Sequence, residues 1–321
     1  MEDDKIIEFM ADGLWHSGVD IAARFGLSRA AVWKRLQKLE SIGLEIQREQ
    51  AKGYRLAYSF EPLKSDYIAA QIANNTLLSI KPITTSTNSD ALTMLKASSK
   101  LWPEQAYLCL AELQTAGKGR RGRQWQSPYG ANLYFSWAAT LPVGVAGLEG
   151  LSLAIGILVA KVLSQNKIND VKVKWPNDVY VDGKKVAGIL IEVDGDLTSH
   201  CNLVVGVGVN FCFSSLHLET IGQPFTAIDC HSTLSRNEMS VMLTAGVEAV
   251  VKELCNGNTV GLLGEWSAYD YLLNKPVNIS LGGQVITGVA RGVSNTGNLI
   301  VELGDGELKH FAGGEVSVRI Q

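Results

Sequence analysis

The chain has 321 residues, 46% of them hydrophobic and 19% charged, with 32 glycines, enough for two or three domains with real cores and many turns. A net charge of −3 excludes a protein that holds nucleic acid by bulk electrostatics, so any DNA contact must be local to one small module. The acidic start Met1-Glu2-Asp3-Asp4, an apolar run (151–163) too short for a membrane span, and five scattered cysteines (Cys109, Cys201, Cys212, Cys230, Cys255) with no CxxC pair lead us to expect a reduced cytoplasmic protein. No signal peptide, disulfide framework, zinc cluster or membrane contact is expected.

Residues 4–13 are expected to form a short helix, broken by His16-Ser17-Gly18, and 19–25 a second. Gly26-Leu27-Ser28 is a tight turn, in which Gly26 can take a positive φ, and Ser28 is a good N-cap for a third helix over 29–42. Val32, Leu36 and Leu39 recur there at helical spacing and should face a core. Two short strands, 44–48 and 53–56, flank the polar turn Glu49-Gln50-Ala51-Lys52. Together these read as a winged helix-turn-helix. Ser28, Arg29, Ala30, Trp33, Lys34 and Gln37 are its candidate base-facing residues. Arg35 and Lys38 flank them toward phosphates, and Lys52 and Arg55 extend the basic surface into the wing. Trp33 either stacks on sugar or a thymine methyl or packs inside the module. The alternative use of such a module is docking another protein; the exposed cations favour DNA.

The texture changes after Tyr58, and a domain boundary is placed near residue 62. A linking helix is expected at 65–72. Strands follow at 107–113 and 132–140, a helix at 151–163, and a strand at 171–174. A hairpin over 180–186 turns at Asp182-Gly183, its second arm running on through 190–193. A strand at 203–210 and a helix at 238–254 complete this region. From about Pro276, strands separated by Gly282-Gly283, Asn298 and Gly304-Asp305-Gly306 suggest a small closed or half-closed β barrel. The expected fold is α+β in three domains: 1–62, 63–272 and 273–321.

Gly117-Lys118-Gly119-Arg120-Arg121-Gly122 matches GxGxxG. The residues that follow, Arg123-Gln124-Trp125-Gln126-Ser127-Pro128, are poor material for the helix a dinucleotide fold requires, and the acidic residue of that fold is missing. A Rossmann oxidoreductase is therefore rejected. Four cations on a glycine frame suit a polyanion such as a triphosphate or an acyl phosphate ester; the alternative is a solvated basic loop. Lys174-Trp175-Pro176-Asn177-Asp178 sits at a strand end, and Lys185 lies on the returning arm of the hairpin. That arrangement can bring Asp178 and Lys185 toward one cleft, where they would hold Mg²⁺, steer an amine, or neutralise a carboxylate and a phosphate. A plain turn and a surface lysine are the alternative, and both readings stay open on these residues alone.

Taken in order and spacing, several motifs together resemble the bifunctional bacterial biotin–protein ligases that also repress the biotin operon. They are the winged helix, Ser86-Thr87-Asn88, Gln114 through Arg123, Trp125, Ser127 through Tyr134, Lys174 through Asp178, Lys185 through Leu190, Gly206-Val207-Gly208-Val209-Asn210, and Gly313-Gly314-Glu315. The resemblance implies a central mixed α/β domain of the biotin/lipoate ligase type and an SH3-like C-terminal barrel. It implies biotin at Ser86, Thr87, Asn88 and Gln114, with the loop carrying Lys118, Gly119 and Arg120 closing over it. Arg120 and Lys185 would hold the carboxylate and the adenylate phosphate, Arg121 and Arg123 the triphosphate, and Asn177 and Asp178 would lie beside phosphate and Mg²⁺. Trp125, Asn210 and the 212–224 loop would border the nucleotide, and Glu315 and Arg319 would serve ATP use and carrier contact. The implied reaction uses ATP, Mg²⁺ and biotin, passes through biotinyl-5'-AMP, and ends on a lysine of the biotin carboxyl carrier protein of acetyl-CoA carboxylase. The adenylate would also promote a homodimer that grips the operator of the biotin operon. Two positions depart from the family pattern: Thr85 stands where an acidic residue is usual, and Lys118 where arginine is. A lipoate–protein ligase would need a longer apolar slot. A repressor without catalysis would not need Asp178, Lys185 and the arginine cluster.

Overall fold

The computed structural model describes residues 2–212, 222, 224–282, 284–314 and 316–320. Three helices open the chain: α1 (Glu2–Met10), α2 (Gly18–Phe25) and α3 (Arg29–Ser41). Ser17 Oγ caps α2 by accepting from Asp20 N at 3.0 Å, and Ser28 Oγ caps α3 by accepting from Ala31 N at 3.2 Å. Gly26 ends α2 in the left-handed region at φ 64°, as the tight turn requires. Ile6, Met10, Ile21, Val32, Leu36 and Leu39 form the buried core. The wing pairs β1 (Ile46–Glu49) with β2 (Gly53–Leu56).

The central sheet has seven strands in the order β3-β4-β5-β9-β8-β7-β6. They are β3 (Thr76–Thr84), β4 (Ala106–Gln114), β5 (Asn132–Leu141), β6 (Val171–Lys174), β7 (Asp178–Val181), β8 (Lys184–Gly195) and β9 (Cys201–Asn210). Only the β3–β4 pair is parallel. Alternation along the strands sends residues to two faces. Leu108, Leu110, Trp137, Ala139, Leu203 and Val205 meet α6 (Leu151–Gln165) and α7 (Arg236–Cys255) in the main core. Tyr107, Cys109, Ala138 and Val204 face the other way, against Ala91 and Leu95 of α5 (Thr87–Lys96).

The C-terminal sheet runs β13-β12-β11-β10-β14 and joins the main core through Val277, Ile279, Ala290, Leu299 and Val301. Its strands are β10 (Pro276–Leu281), β11 (Gln284–Val293), β12 (Leu299–Glu302), β13 (Leu308–Phe311) and β14 (Ser317–Ile320). No ladder joins β13 to β14 among the described residues, which makes it a half-closed barrel. Among the longer elements, β3 and α5 were not anticipated. The apolar run also exceeds the expected 151–163: with the short turn Val145–Leu148 it reaches Gln165, 21 residues, long enough by length and composition to cross a membrane. Within α6, however, ten of the fifteen residues are buried in the protein core, so its apolar faces already have partners.

Candidate ligand cleft and DNA-facing helix

The cleft exists because one sheet face runs out of side chains. At the α5 end, Ala138, Val204 and Glu192 share a row across β5, β9 and β8. One step along, Ser136, Gly206 and Leu190 are paired, and one further, Tyr134, Gly208 and Gly188. Glycines in these rows leave room above the sheet. A Cβ at Gly206 would stand 2.4 Å from Asn88 Oδ1, and one at Gly208 2.6 Å from the Trp125 ring. The resulting cavity has a volume of about 860 Å³. Every residue expected at a biotin, nucleotide or metal position, from Ser86 to Asn210, lines it.

One end is a dense hydrogen-bonded floor. Gln114 Oε1 accepts from Thr87 N at 2.9 Å, and Gln114 Nε2 donates to Ser127 Oγ at 3.0 Å. Ser136 Oγ lies 2.7 Å from Thr87 Oγ1 and 2.5 Å from Asn88 Oδ1. Asn88 Nδ2 donates to Glu192 Oε2 at 2.7 Å. Ser86, 3% exposed, stands at the N-cap of α5 without making a side-chain cap bond, which leaves its hydroxyl on the cleft wall. Ser136 and Glu192 were not anticipated. The available signal was a single polar residue inside each of two apolar strand runs.

The other end is cationic. Lys185 Nζ pairs with Asp178 Oδ1 at 2.7 Å and lies 5.4 Å from the Trp125 ring centroid. Arg120 donates to Asn177 Oδ1 at 3.2 Å and to Gly313 O. Asn177 is itself fixed by Nδ2 donating to Ile189 O at 2.8 Å. Burial lowers the Arg120 pKa from its ordinary value, and Arg121 adds repulsion that Asp178 opposes. Lys174 is likewise lowered by burial, with Asp178 opposing and Lys185, Arg319 and Lys275 repelling. This concentration of cations around one carboxylate is relieved by an anion. Asn210 Nδ2 donates to Thr226 O at 3.2 Å and so ties β9 to the segment after the 212–224 loop. Cys212 also lines the cleft, but burial pushes its thiol up to about 12, so it stays a thiol rather than a nucleophilic thiolate.

The glycine-rich loop is folded between these ends. Gly119 N donates to Arg123 O at 2.7 Å, Arg121 sits at φ 57° and Gly122 at φ 70°. Lys118 reaches Glu192 Oε1 at 3.0 Å, and Arg121 donates to Gly314 O at 3.3 Å. Arg319 of β14 closes the cationic rim. Glu315 and most of the 212–224 loop lie outside the described residues.

On the winged helix, Ser28, Arg29, Ala30, Trp33, Lys34, Gln37 and Lys38 are exposed along α3. Trp33 is 46% exposed and does not pack into the module. Both cations expected at phosphates already have an intramolecular partner, Arg35 and Lys38 meeting Asp3 at 2.8 and 2.7 Å, and Lys52 of the wing meets Glu49 at 2.8 Å. Arg55 lies 4.7 Å from the Trp15 ring centroid.

A winged helix joined to a mixed α/β domain with a half-polar, half-cationic cleft defines a DNA-binding module fused to a ligase-type catalytic domain. Residues 4–55 match the HTH domain model, 80–210 the biotin/lipoate A/B protein ligase family, and 272–319 the biotin protein ligase C terminal domain. The chain is 35% identical over 319 residues to the bifunctional ligase/repressor BirA of Escherichia coli K12, covering 98% of this chain and 96% of that one. Against the Salmonella typhimurium protein of the same name it is 36% identical over 315 residues, with the same coverage. A solved biotin protein ligase from Aquifex aeolicus, in complex with biotin and ATP, is 26% identical with a TM-score of 0.62, covering 78% of this chain and all of that one. This chain belongs to the bifunctional ligase/repressor family.

Proposed function

We propose that the chain joins biotin to a lysine of a biotin carboxyl carrier protein at the expense of ATP, and represses a biotin operon with biotinyl-5'-AMP as co-repressor. The observation that carries the reading is the division of one cleft into a hydrogen-bonding floor and a cationic end. An uncharged ureido ring needs several donors and acceptors, which Ser86, Thr87 and Gln114 supply. Lys118 and Gly119 lie on the loop that covers that end. The biotin carboxylate would then reach Arg120 and Lys185.

There the carboxylate oxygen attacks the α-phosphorus of ATP; an O–P bond forms, the bond to the β-phosphate breaks, and pyrophosphate leaves. The lysine amine of the carrier then attacks the acyl carbon. An amide bond forms, the carbon–oxygen bond breaks and AMP departs, with the amine proton passing to solvent. Arg120 and Lys185 lower both barriers by meeting charge that develops on phosphate oxygens, and the cleft holds the partners at contact distance. Arg121, Arg123 and Arg319 border the triphosphate, Trp125 and Asn210 the nucleoside. Among the described residues no cluster of three potential metal ligands exists. Mg²⁺ is commonly bound by one or two carboxylates together with substrate phosphates and water; Asp178, a carboxylate on the cleft wall, would hold it, and it would neutralise phosphate charge. The domain limits we assign are 1–62 for operator binding, 63–272 for catalysis and 273–321 for the barrel, and the work is placed in the cytoplasm, as a homodimer when it represses.

Incubation with ATP, Mg²⁺, labelled biotin and a carrier domain tests the reading. Label on a single carrier lysine is expected. Labelling by lipoate in place of biotin would overturn it.

A further inference from the structure

We infer that Glu192, which no part of the reaction above uses, is a positioning residue that sets the hydrogen-bond polarity of the cleft floor and so makes Thr87 an acceptor for a ring N–H of the ligand. The inference rests on the biotin reading and concerns how that ring is told from its isosteres.

One chain of contacts fixes where each proton lies. Glu192 shares its two oxygens between two partners: Oε1 takes Lys118 Nζ at 3.0 Å, and Oε2 takes Asn88 Nδ2 at 2.7 Å. A carboxylate can only accept, so Asn88 must turn its amino group to Glu192. Its Oδ1 then faces Ser136 Oγ at 2.5 Å. That oxygen also only accepts, so Ser136 gives it its one proton. Thr87 Oγ1 lies 2.7 Å from Ser136 Oγ; a contact that short needs a proton between the oxygens, and only Thr87 has one left to place there. The longer contact of 3.2 Å between Thr87 Oγ1 and Gln114 Oε1 therefore carries no proton from Thr87. Thr87 ends with its proton turned into the protein and its lone pairs left for the cleft. Asn88, Ser136 and Thr87 are buried, at 5%, 0% and 4% exposure, so water is not free to reset the chain.

Lys118 makes the polarity reversible by one atom. In Glu192→Gln, the ammonium holds the amide oxygen and leaves the amide NH₂ toward Asn88. Asn88 then turns over, giving up the long 3.5 Å contact of its Nδ2 with Leu190 O, Ser136 donates to Thr87, and the Thr87 proton is released from its inward bond while one lone pair is taken up. An N–H ligand loses part of its acceptor; an isostere with ring oxygen in place of that N–H gains a donor.

The test is calorimetric titration of the full chain with biotin and with its cyclic carbamate analogue, in which one ring N–H is replaced by oxygen. Wild type should prefer biotin. Glu192→Gln should bind biotin about tenfold or more weakly, on the scale of one mispaired buried polar group, and the preference over the carbamate should shrink by a similar factor. Glu192→Asp, which keeps the carboxylate, should restore the preference. In a Ser136→Ala background, where the relay is cut, Glu192→Gln should no longer change the ratio. A purely structural role would weaken both ligands alike. An unchanged ratio in Glu192→Gln, or an equal effect with and without Ser136, overturns the inference and leaves the ligase reading standing. A wild-type protein that binds no biotin overturns both.

Discussion

Gly206 and Gly208 open the cleft by having no side chain. Neither has a positive φ, so a methyl group there acts only through the space it takes. Gly206→Ala would drive a Cβ to 2.4 Å from Asn88 Oδ1. We expect biotin affinity to fall about tenfold or more while circular dichroism stays that of wild type; unchanged affinity would remove Asn88 from the floor of the site. Lys185 acts through charge instead. Lys185→Ala should lower the adenylation rate by about 10²-fold or more, the scale of one lost transition-state donor, measured as pyrophosphate release without carrier. A normal rate in a folded variant would make it an ordinary surface lysine. The charged part of the cleft was legible in the sequence because lysines and arginines between glycines are conspicuous. Ser136 and Glu192 were not, since each sits in an apolar strand and its partners, Thr87, Asn88 and Lys118, come from elements the strand pattern does not reveal.

The linker between winged helix and catalytic domain is held by an element that looked like plain helix. Arg236, the first residue of α7 and 2% exposed, pairs with Glu112 of β4 at 2.7 Å and also donates to Asn132 O and to Glu61 O. Glu112 Oε1 accepts from Leu63 N at 2.7 Å, and Asn237 Oδ1 accepts from Lys64 N at 2.8 Å. The Phe60 ring lies 5.5 Å from the Arg236 guanidinium and fills the space beside Gly130. Removing one member of so buried a pair is costly: Arg236→Ala should destabilise the catalytic domain by about 3–5 kcal/mol, seen in urea unfolding. The same contacts refine the proposed boundary at residue 62. A chain beginning at Pro62 should still biotinylate the carrier and should not bind operator, but it lacks the Glu61 carbonyl and the Phe60 ring. It should therefore unfold at lower urea than one beginning at Tyr58. Equal midpoints would mean the linker is a passive tether. At this scale β2 and β6 were read to the residue from their patterns. The strand β3 was missed because Pro82 and Lys81 interrupt its apolar run; at the edge of the sheet, paired only with β4, a proline is tolerated. The helix α5 was missed because Ser86-Thr87-Asn88-Ser89 reads as loop, although Ala91 and Leu95 are spaced to bury one face.

The whole molecule must control DNA with a net charge of −3 and one small reading module. Asp3 and Glu49 already engage Arg35, Lys38 and Lys52, which leaves Arg29, Lys34 and Gln37 beside the exposed Trp33. A single copy should bind operator weakly, with a salt dependence as shallow as its few phosphate contacts. Two copies held by one symmetric interface would read two half-sites about one helical turn or a multiple apart, and would gain affinity without a new type of contact. The glycine-rich loop ties the two activities together. It borders the floor through Lys118 and Glu192 and the cationic end through Arg120 and Gly313, so an adenylate filling both ends would hold it in this order along its length. We propose that this order favours the dimer, and that carrier protein opposes it by consuming the adenylate. The central claim is that one ligand in one cleft serves both ligation and repression. Its most direct measurement is operator binding titrated alongside self-association, with and without a non-hydrolysable biotinyl-5'-AMP analogue. The analogue should tighten both over the same range of protein concentration. Equal dimerisation and equal operator affinity in the two states would contradict that claim, even with the ligase chemistry intact.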